Sequence, residues 1–453
     1  MLGLSTNIKY LINCKNDYSE NLNHRFKKME PHPEEVYMTY SKRDGYITFG
    51  QGYPSESIFP IQKIVIKLEG IDEDITFTQN ELEFSQQYIT GPYEALSDLL
   101  RKFQIHYHGL SDWKLENRKW DVCVTNGAQQ GIAVIFRTML EEGDTILAEK
   151  YTFGGIFLTT LPFNINIVGI ETDEYGMIPE SVEKVLSNWD SSVKPFPKMF
   201  YLIPIAQNPT GAIMNQQRRN DLYQLAIKYK MIILEDDVHY FLQFPKTRES
   251  VFTNNGNFRT DNLDLESSFL SMDTEGIVLR VDTFSKILSP GIRFGFITGP
   301  KQLVDVFAVE TCAMDFHNST MTLLIMYKLL SIWKFEGFNR HIRFTHLTYM
   351  DKRDQMKKLL DKYLDGLIEY KIPQGGMYFW VKLKGVANSW EFYRKYLFPK
   401  KICFGVSGYF QSPNESFFSN YLRISFTVGT LDEIEIAFSH LSNSLKEFNQ
   451  NKN

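Results

Sequence analysis

Asp282-Thr283-Phe284-Ser285-Lys286-Ile287-Leu288-Ser289-Pro290-Gly291-Ile292-Arg293-Phe294-Gly295 is the stretch on which the reading of this chain turns. It follows an apolar run at 276–281 that reads as a buried strand, and a Ser-Pro-Gly turn carries it into a second apolar run at 294–298. A lysine on a loop after a strand, flanked by hydroxyls and followed by an arginine, suits one chemistry well. The amine can form an imine with an aldehyde while the hydroxyls and the guanidinium grip a phosphate on the same molecule. A solvated surface loop accounts for the stretch equally well. A third reading takes Thr283-x-x-Lys286 as a variant acyl-enzyme motif; it is weak, because serine is the expected nucleophile and no clear Lys-Thr-Gly partner occurs. The rest of the chain has to decide.

Working outward, strand-like and helical segments alternate. Residues 121–125 read as a strand and 126–131 as a turn, and the helix after them places Ile132, Ile135, Phe136, Met139 and Leu140 on one face. Strands follow at 144–148 and 165–170. The run 199–205 is apolar on both parities, as expected of a strand covered on both faces. A helix with Leu222, Leu225, Ala226 and Tyr229 in register precedes a strand at 231–235, and 276–281 and 294–298 close the series. A further helix is expected from Tyr93 to Phe103, after the turn Thr90-Gly91-Pro92. Such alternation predicts an α/β fold with a mostly parallel sheet sandwiched by helices. Beyond about residue 330 the pattern changes to a long charged helix (335–363), strands at 377–383 and 421–426 and a helix at 431–448. The expected organisation is therefore a large domain over 55–330 beside a smaller α+β domain. The smaller one is built from the C-terminal part (331–453) and an N-terminal arm (1–54) whose Pro31-His32-Pro33 argues against one continuous helix.

The totals narrow the class. A net charge of −5 and 23% charged residues do not mark the chain as a nucleic-acid binder. Four cysteines, Cys14, Cys123, Cys312 and Cys403, lie far apart, forming neither a zinc motif nor a disulfide framework, and they fit a reducing compartment. No apolar run is long enough to span a bilayer, and the N-terminus lacks a secretory pattern, so the expected location is the cytoplasm. His106-x-His108 has no carboxylate or cysteine near it in sequence and is not read as a metal site. Gly50-x-Gly52 is followed at once by Pro54 and is not read as a dinucleotide loop.

The molecule that carries both an aldehyde and a phosphate is pyridoxal 5′-phosphate, and its chemistry asks for particular partners. Phosphate favours a helix N-terminus, which the turn Asn126-Gly127-Ala128-Gln129 offers, although any turn into a helix looks similar. The ring nitrogen must keep its proton, which an adjacent carboxylate secures. Asp237, at the carboxyl end of the strand 231–235, is the candidate and Asp236 the rival; spacing favours Asp237, because Tyr240 can then reach the phenolic oxygen. Asn208, in Gln207-Asn208-Pro209-Thr210-Gly211, can donate to that oxygen, though Asn-Pro-x-Gly is also plain turn chemistry. Tyr151 offers a face for the ring. Arg423 lies within an apolar strand, where a charge needs a partner such as a substrate carboxylate.

Taken in order, Gly127-Ala-Gln-Gln-Gly131, Tyr151, Asn208-Pro-Thr-Gly211, Asp237-x-x-Tyr240, Thr283-x-Ser285-Lys286, Arg293 and Arg423 resemble the fold-type I pyridoxal-phosphate aminotransferases of class I/II over almost the whole length. More narrowly, 235–243 and 269–276 look like the fungal aromatic and 2-aminoadipate (kynurenine-type) branch. The resemblance implies that Lys286 is the Schiff-base lysine and Asp237 the pyridinium partner. Asn208 and Tyr240 would hold the phenolate, and Tyr151 would stack on the ring. It places Ala128 and Gln129 (through backbone N–H), Thr283, Ser285 and Arg293 on the phosphate. Arg423 would bind the substrate α-carboxylate, with Gly52 close by. Further implications are a ping-pong transfer from an amino acid to a 2-oxo acid such as 2-oxoglutarate, and a homodimer in which Tyr88 reaches the partner's phosphate. Two departures stand out: relatives often have serine where Ala128 stands, and no N-terminal arginine for a distal carboxylate falls at 31–40, where His32 or Lys28 could substitute. A lyase or decarboxylase on the same scaffold is the alternative. A cofactor-sensing regulator would need a DNA-binding segment ahead of the domain, for which the arm leaves no room.

Overall fold

The computed structural model describes residues 18–28, 52–69, 74–89, 91–110, 119–412 and 419–451. The arm segment around His32 and the side chain of Lys28 lie outside them. In chain order the main elements are α1 (Glu94–His108), β1 (Trp120–Thr125), α2 (Ala128–Met139), β2 (Thr145–Glu149), β3 (Asn166–Ile170), β4 (Met199–Leu202), α3 (Gln216–Tyr229), β5 (Ile232–Asp236), β6 (Val278–Thr283) and β7 (Gly295–Pro300). They continue with α4 (Lys301–Asp315), α5 (Thr320–Leu364), β8 (Ile368–Tyr370), β9 (Tyr378–Leu383), β10 (Gly405–Val406), β11 (Tyr421–Ser425) and α6 (Leu431–Gln450). The chain forms two compact units, Met1–Glu141 with Leu270–Phe338, and Glu142–Phe269 with Asn339–Asn453.

In the first unit β7 lies between β6 and β1 and is antiparallel to both. The segment 294–298 closes the expected mostly parallel series with no direction assigned by its sequence; the chain turns back after Thr283. The register pairs Gly295 with Thr283 on one side and with Thr125 on the other. The loop after β1 and the loop after β6 therefore leave the sheet at one level. Helix α2 opens in the first of these loops and buries Ile132, Ile135, Phe136 and Met139, as its periodicity predicts. Helix α1 ends on Gly109 at φ 61, whose N–H returns to the Ile105 carbonyl.

In the second unit β5, β4, β2 and β3 form a parallel sheet in that order. Every residue of β2, β4 and β5 is buried, consistent with their unbroken apolar runs. Strand β4 stops at Leu202, short of the expected 205, because Pro204 has no N–H to give a ladder. The C-terminal part adds an antiparallel sheet, β8-β9-β11-β10. Alternation along β9 and β11 turns Phe379, Val381, Leu383, Leu422 and Ile424 into a core with Leu360, Phe438 and Leu441. Tyr378, Trp380, Tyr421 and Arg423 fall on the opposite face. The expected 335–363 helix is the second half of α5, which breaks at Lys334 (φ 51, ψ −161). Thr430 and Glu433 start α6 with a capping box. The expected α/β class with a mostly parallel sheet flanked by helices is what the chain adopts.

Gly295 is where the first unit is tightest. A Cβ there would stand 2.7 Å from the Asp282 carbonyl oxygen, 2.9 Å from Gly127 C and 3.0 Å from Ala128 N. Because all three are backbone atoms, Gly295→Ala is expected to lower stability by about 1–3 kcal/mol, the cost of overpacking. Urea unfolding measures this, and an unchanged midpoint would show that the two loops are not packed backbone to backbone.

Candidate active site

The common level of Thr125, Gly295 and Thr283 gathers several of the sequence-derived candidates within the first unit. Gly127 takes φ 87 to enter α2, whose N-terminus carries no side-chain cap. Arg293, itself left-handed at φ 54, donates from Nη2 to the Asn126 carbonyl at 3.0 Å and from Nη1 to the Pro290 carbonyl at 3.2 Å. A Cβ on Gly127 would lie 2.3 Å from Arg293 Nη2, so only glycine admits the guanidinium. An exposed cation thus sits at the positive end of a helix dipole, an arrangement that an anion shared by the guanidinium and the open N–H groups makes favourable. These donors fit a phosphate.

The hydroxyls follow from the same loop. Thr283 Oγ1 donates to the Phe294 carbonyl at 2.9 Å and accepts from Ser285 N–H at 3.2 Å, so it shapes the turn around Lys286. Ser285 Oγ lies 2.9 Å from Thr283 Oγ1. Beneath them, buried Asp282 is held by Arg280 at 2.8–3.0 Å and by Gln104 Nε2 at 2.8 Å. His108 is buried near that pair; burial and then the Arg280 charge push its pKa well down. Its companion His106 stacks on Phe335 at 3.9 Å. Tyr88 is half-exposed and packs on Tyr53, Phe316 and His317, and Gly52 is exposed with open space where a Cβ would be.

The second unit holds the other candidates. Arg423 Nη1 donates to Asn208 Oδ1 at 2.7 Å. Because a guanidinium only donates, this turns the Asn208 oxygen toward Arg423 and leaves its NH2 to face elsewhere. Burial pushes the Arg423 pKa down, with Tyr378 opposing. Asp237 is buried at the end of β5, and its carbonyl accepts the Tyr240 N–H at 3.0 Å. The rival Asp236 accepts the hydroxyl of buried Tyr201. Tyr151 has its hydroxyl 2.8 Å from Ser419 Oγ and its ring against Trp380 and Tyr421.

Sequence reasoning passed over two features here. Tyr378 and Phe410 flank Arg423, with Trp380 against Phe410 and stacked on Tyr421, and only the period-two alternation of β9 and β11 could have pointed to three of these rings. Gln207 joins the two loops of interest. Its Nε2 donates to the Tyr151 carbonyl at 2.6 Å and to Glu149 Oε2 at 3.0 Å, and its Oε1 accepts from Thr210 N and Oγ1 at 2.8 and 2.7 Å.

Glu149 is 1% exposed, and burial raises its pKa to about 8 against the lowering effect of Gln207 and the Ile203 N–H. A carboxyl whose pKa rises on folding favours the native state below its unfolded value, and that advantage is lost as pH climbs through the folded value. Wild-type stability should therefore fall between about pH 5 and 8 by roughly 4 kcal/mol from this group. Glu149→Gln should flatten that fall. Melting temperatures of both proteins across this range test it, and parallel slopes would mean that Glu149 is ionised in the native state.

Comparison with known proteins agrees with this geometry. The family model described as aminotransferase class I and II matches residues 69–441. An aromatic amino acid aminotransferase of Dictyostelium discoideum is 36% identical over 440 residues, covering 96% of this chain and 89% of that protein. The mitochondrial kynurenine/alpha-aminoadipate aminotransferase of Mus musculus is 33% identical, covering 88% and 92%. Among solved structures, the aminotransferase Aro8 from Candida albicans superposes with a TM-score of 0.81 at 25% identity, over 96% of this chain and 99% of that one. The chain therefore belongs to the class I and II aminotransferases and is a pyridoxal-phosphate-dependent transaminase.

Proposed function

We propose that this transaminase takes an aromatic amino acid or 2-aminoadipate as amino donor and 2-oxoglutarate as acceptor, in a ping-pong cycle. The observation that carries the reading is Arg423: a half-buried cation with no carboxylate partner among the described residues, and with Asn208 as its one hydrogen-bond acceptor there. A substrate α-carboxylate would satisfy it. Trp380 and Tyr421, on the same face of the sheet as Arg423, and Tyr151 against both support an aromatic side chain on the donor, as do the names of the relatives.

Bound pyridoxal phosphate supplies an aldehyde carbon for the amino group and a protonated ring that draws electrons from the α-carbon. In this reading Lys286 would hold the cofactor through its amine and its Nζ would move the substrate's α-proton, a task that needs the amine neutral part of the time. Asp237 keeps the proton on the ring nitrogen. Asn208 Nδ2 and the Tyr240 hydroxyl orient the phenolic oxygen, and Tyr151 flanks the ring. The N–H groups of Ala128 and Gln129, the hydroxyls of Thr283 and Ser285 and the Arg293 guanidinium hold the phosphate, with Gly52 near the substrate carboxylate.

The proposal extends to a homodimer in which Tyr88 completes the partner's phosphate site; the half-exposed ring on its aromatic ledge supports this. It also includes the division at residues 54 and 330 and a cytoplasmic location. No helix among the described residues is long and apolar enough to cross a membrane, and the name of the mouse relative carries the word mitochondrial.

Lys286→Ala is expected to lose both the visible absorbance of the bound cofactor and turnover; a variant keeping both would remove Lys286 from its role. In a panel of amino donors against 2-oxoglutarate, aromatic amino acids and 2-aminoadipate should lead. Arg423→Gln should raise KM for each by about a hundredfold, the loss of a buried charge-assisted pair. Unchanged KM values would place the carboxylate elsewhere.

A further inference from the structure

The Arg423 guanidinium is flanked from two sides. Its Cζ stands 4.2 Å from the centre of the Tyr378 ring and 4.6 Å from the centre of the Phe410 ring. The two rings come from opposite neighbours of β11. Tyr378 lies on β9, while Phe410 follows β10, where Gly405 pairs with Arg423. Gly405 leaves the room, since a Cβ there would come within 3.3 Å of both the Phe410 ring and Arg423 Cβ. Phe410 is buried, and its carbonyl accepts the Thr152 N–H at 2.7 Å, so the backbone that carries the ring is itself tied down. In the plane of the guanidinium, Asn208 occupies one N–H.

We infer that Tyr378 and Phe410 are positioning residues that clamp the Arg423 guanidinium so that its remaining N–H edge meets the substrate α-carboxylate in plane. The inference rests on the reading of Arg423 as the carboxylate-binding group. A carboxylate binds arginine best through two parallel N–H···O bonds lying in the guanidinium plane. Rings on two sides block the approaches that would give a single bent contact. Their π-faces also attract the cation, which offsets part of the hydration lost on burial. A long side chain freed from the rings would have to be ordered at each binding event, and that cost would appear in substrate affinity.

The test compares two competitive inhibitors of the holoenzyme that share one shape: 3-phenylpropanoate, which carries the carboxylate, and 3-phenylpropanamide, which lacks the charge. The wild type should prefer the acid. Phe410→Leu and Tyr378→Leu should each weaken acid binding about tenfold while leaving amide binding within about twofold. Tyr378→Phe and Phe410→Tyr, which keep the rings, should retain the preference. In steady-state kinetics with phenylalanine the leucine variants should raise KM far more than they lower kcat. Melting temperature and the cofactor absorbance show that each variant is folded and loaded, and the conservative pair carries the test should a leucine variant not fold. If Arg423→Gln keeps the acid preference, the reading of Arg423 fails. If Arg423→Gln erases the preference but the leucine variants keep it, Arg423 stands and the clamp is wrong. Equal weakening of acid and amide would make the rings mere packing and would also overturn the clamp.

Discussion

A guanidinium held at the positive end of a helix dominates the first unit. Two positive features lie together where Arg293 bonds the Asn126 carbonyl and crosses Gly127, and no carboxylate among the described residues neutralises Arg293. Such an arrangement is stable in water and strongly favourable only around an anion. The strand register produces it. With Thr125, Gly295 and Thr283 level across three antiparallel strands, the helix start and the lysine loop must share one rim. Glycine at 127 and 295 then permits an approach that any side chain would prevent.

The second unit likewise holds a cation with no carboxylate partner among the described residues. Arg423 stands on a strand whose other face is the hydrophobic core of the C-terminal sheet, and it is enclosed by rings rather than by carboxylates. Removing a cation from water without an opposite charge is costly, so the unit keeps a binding surface at the expense of stability. Glu149 shows the same trade. A wholly buried carboxyl is tolerated where it receives the Gln207 amide and so ties the Tyr151 loop to the Asn208 loop. Both units are therefore least comfortable where the ligands are expected, a pattern common to active sites.

Several features of the site were legible before the fold was seen. The glycine-led turn into α2, the lysine just after two hydroxyls and the arginine seven residues beyond it are local patterns. Local patterns survive because chain geometry places neighbours in sequence close in space. Spacing to Tyr240 favoured Asp237 over Asp236, whereas the partner of Asp236, Tyr201 on the neighbouring strand, lies too far along the chain to be read locally. Phe410 and Gln207 carried no local signal, because their partners lie far along the chain.

Residue order alone pointed to many of the strands and helices and to the α/β class, because hydrophobic period and turn chemistry are short-range properties, and its ordered motifs carried the resemblance to the family. It did not determine that β7 returns antiparallel to β6, that β8 and β10 complete the C-terminal sheet, or that two rings enclose Arg423. Those outcomes depend on pairings between distant segments. Each is worth little by itself, and the arrangement that prevails is the one that buries the whole core at once.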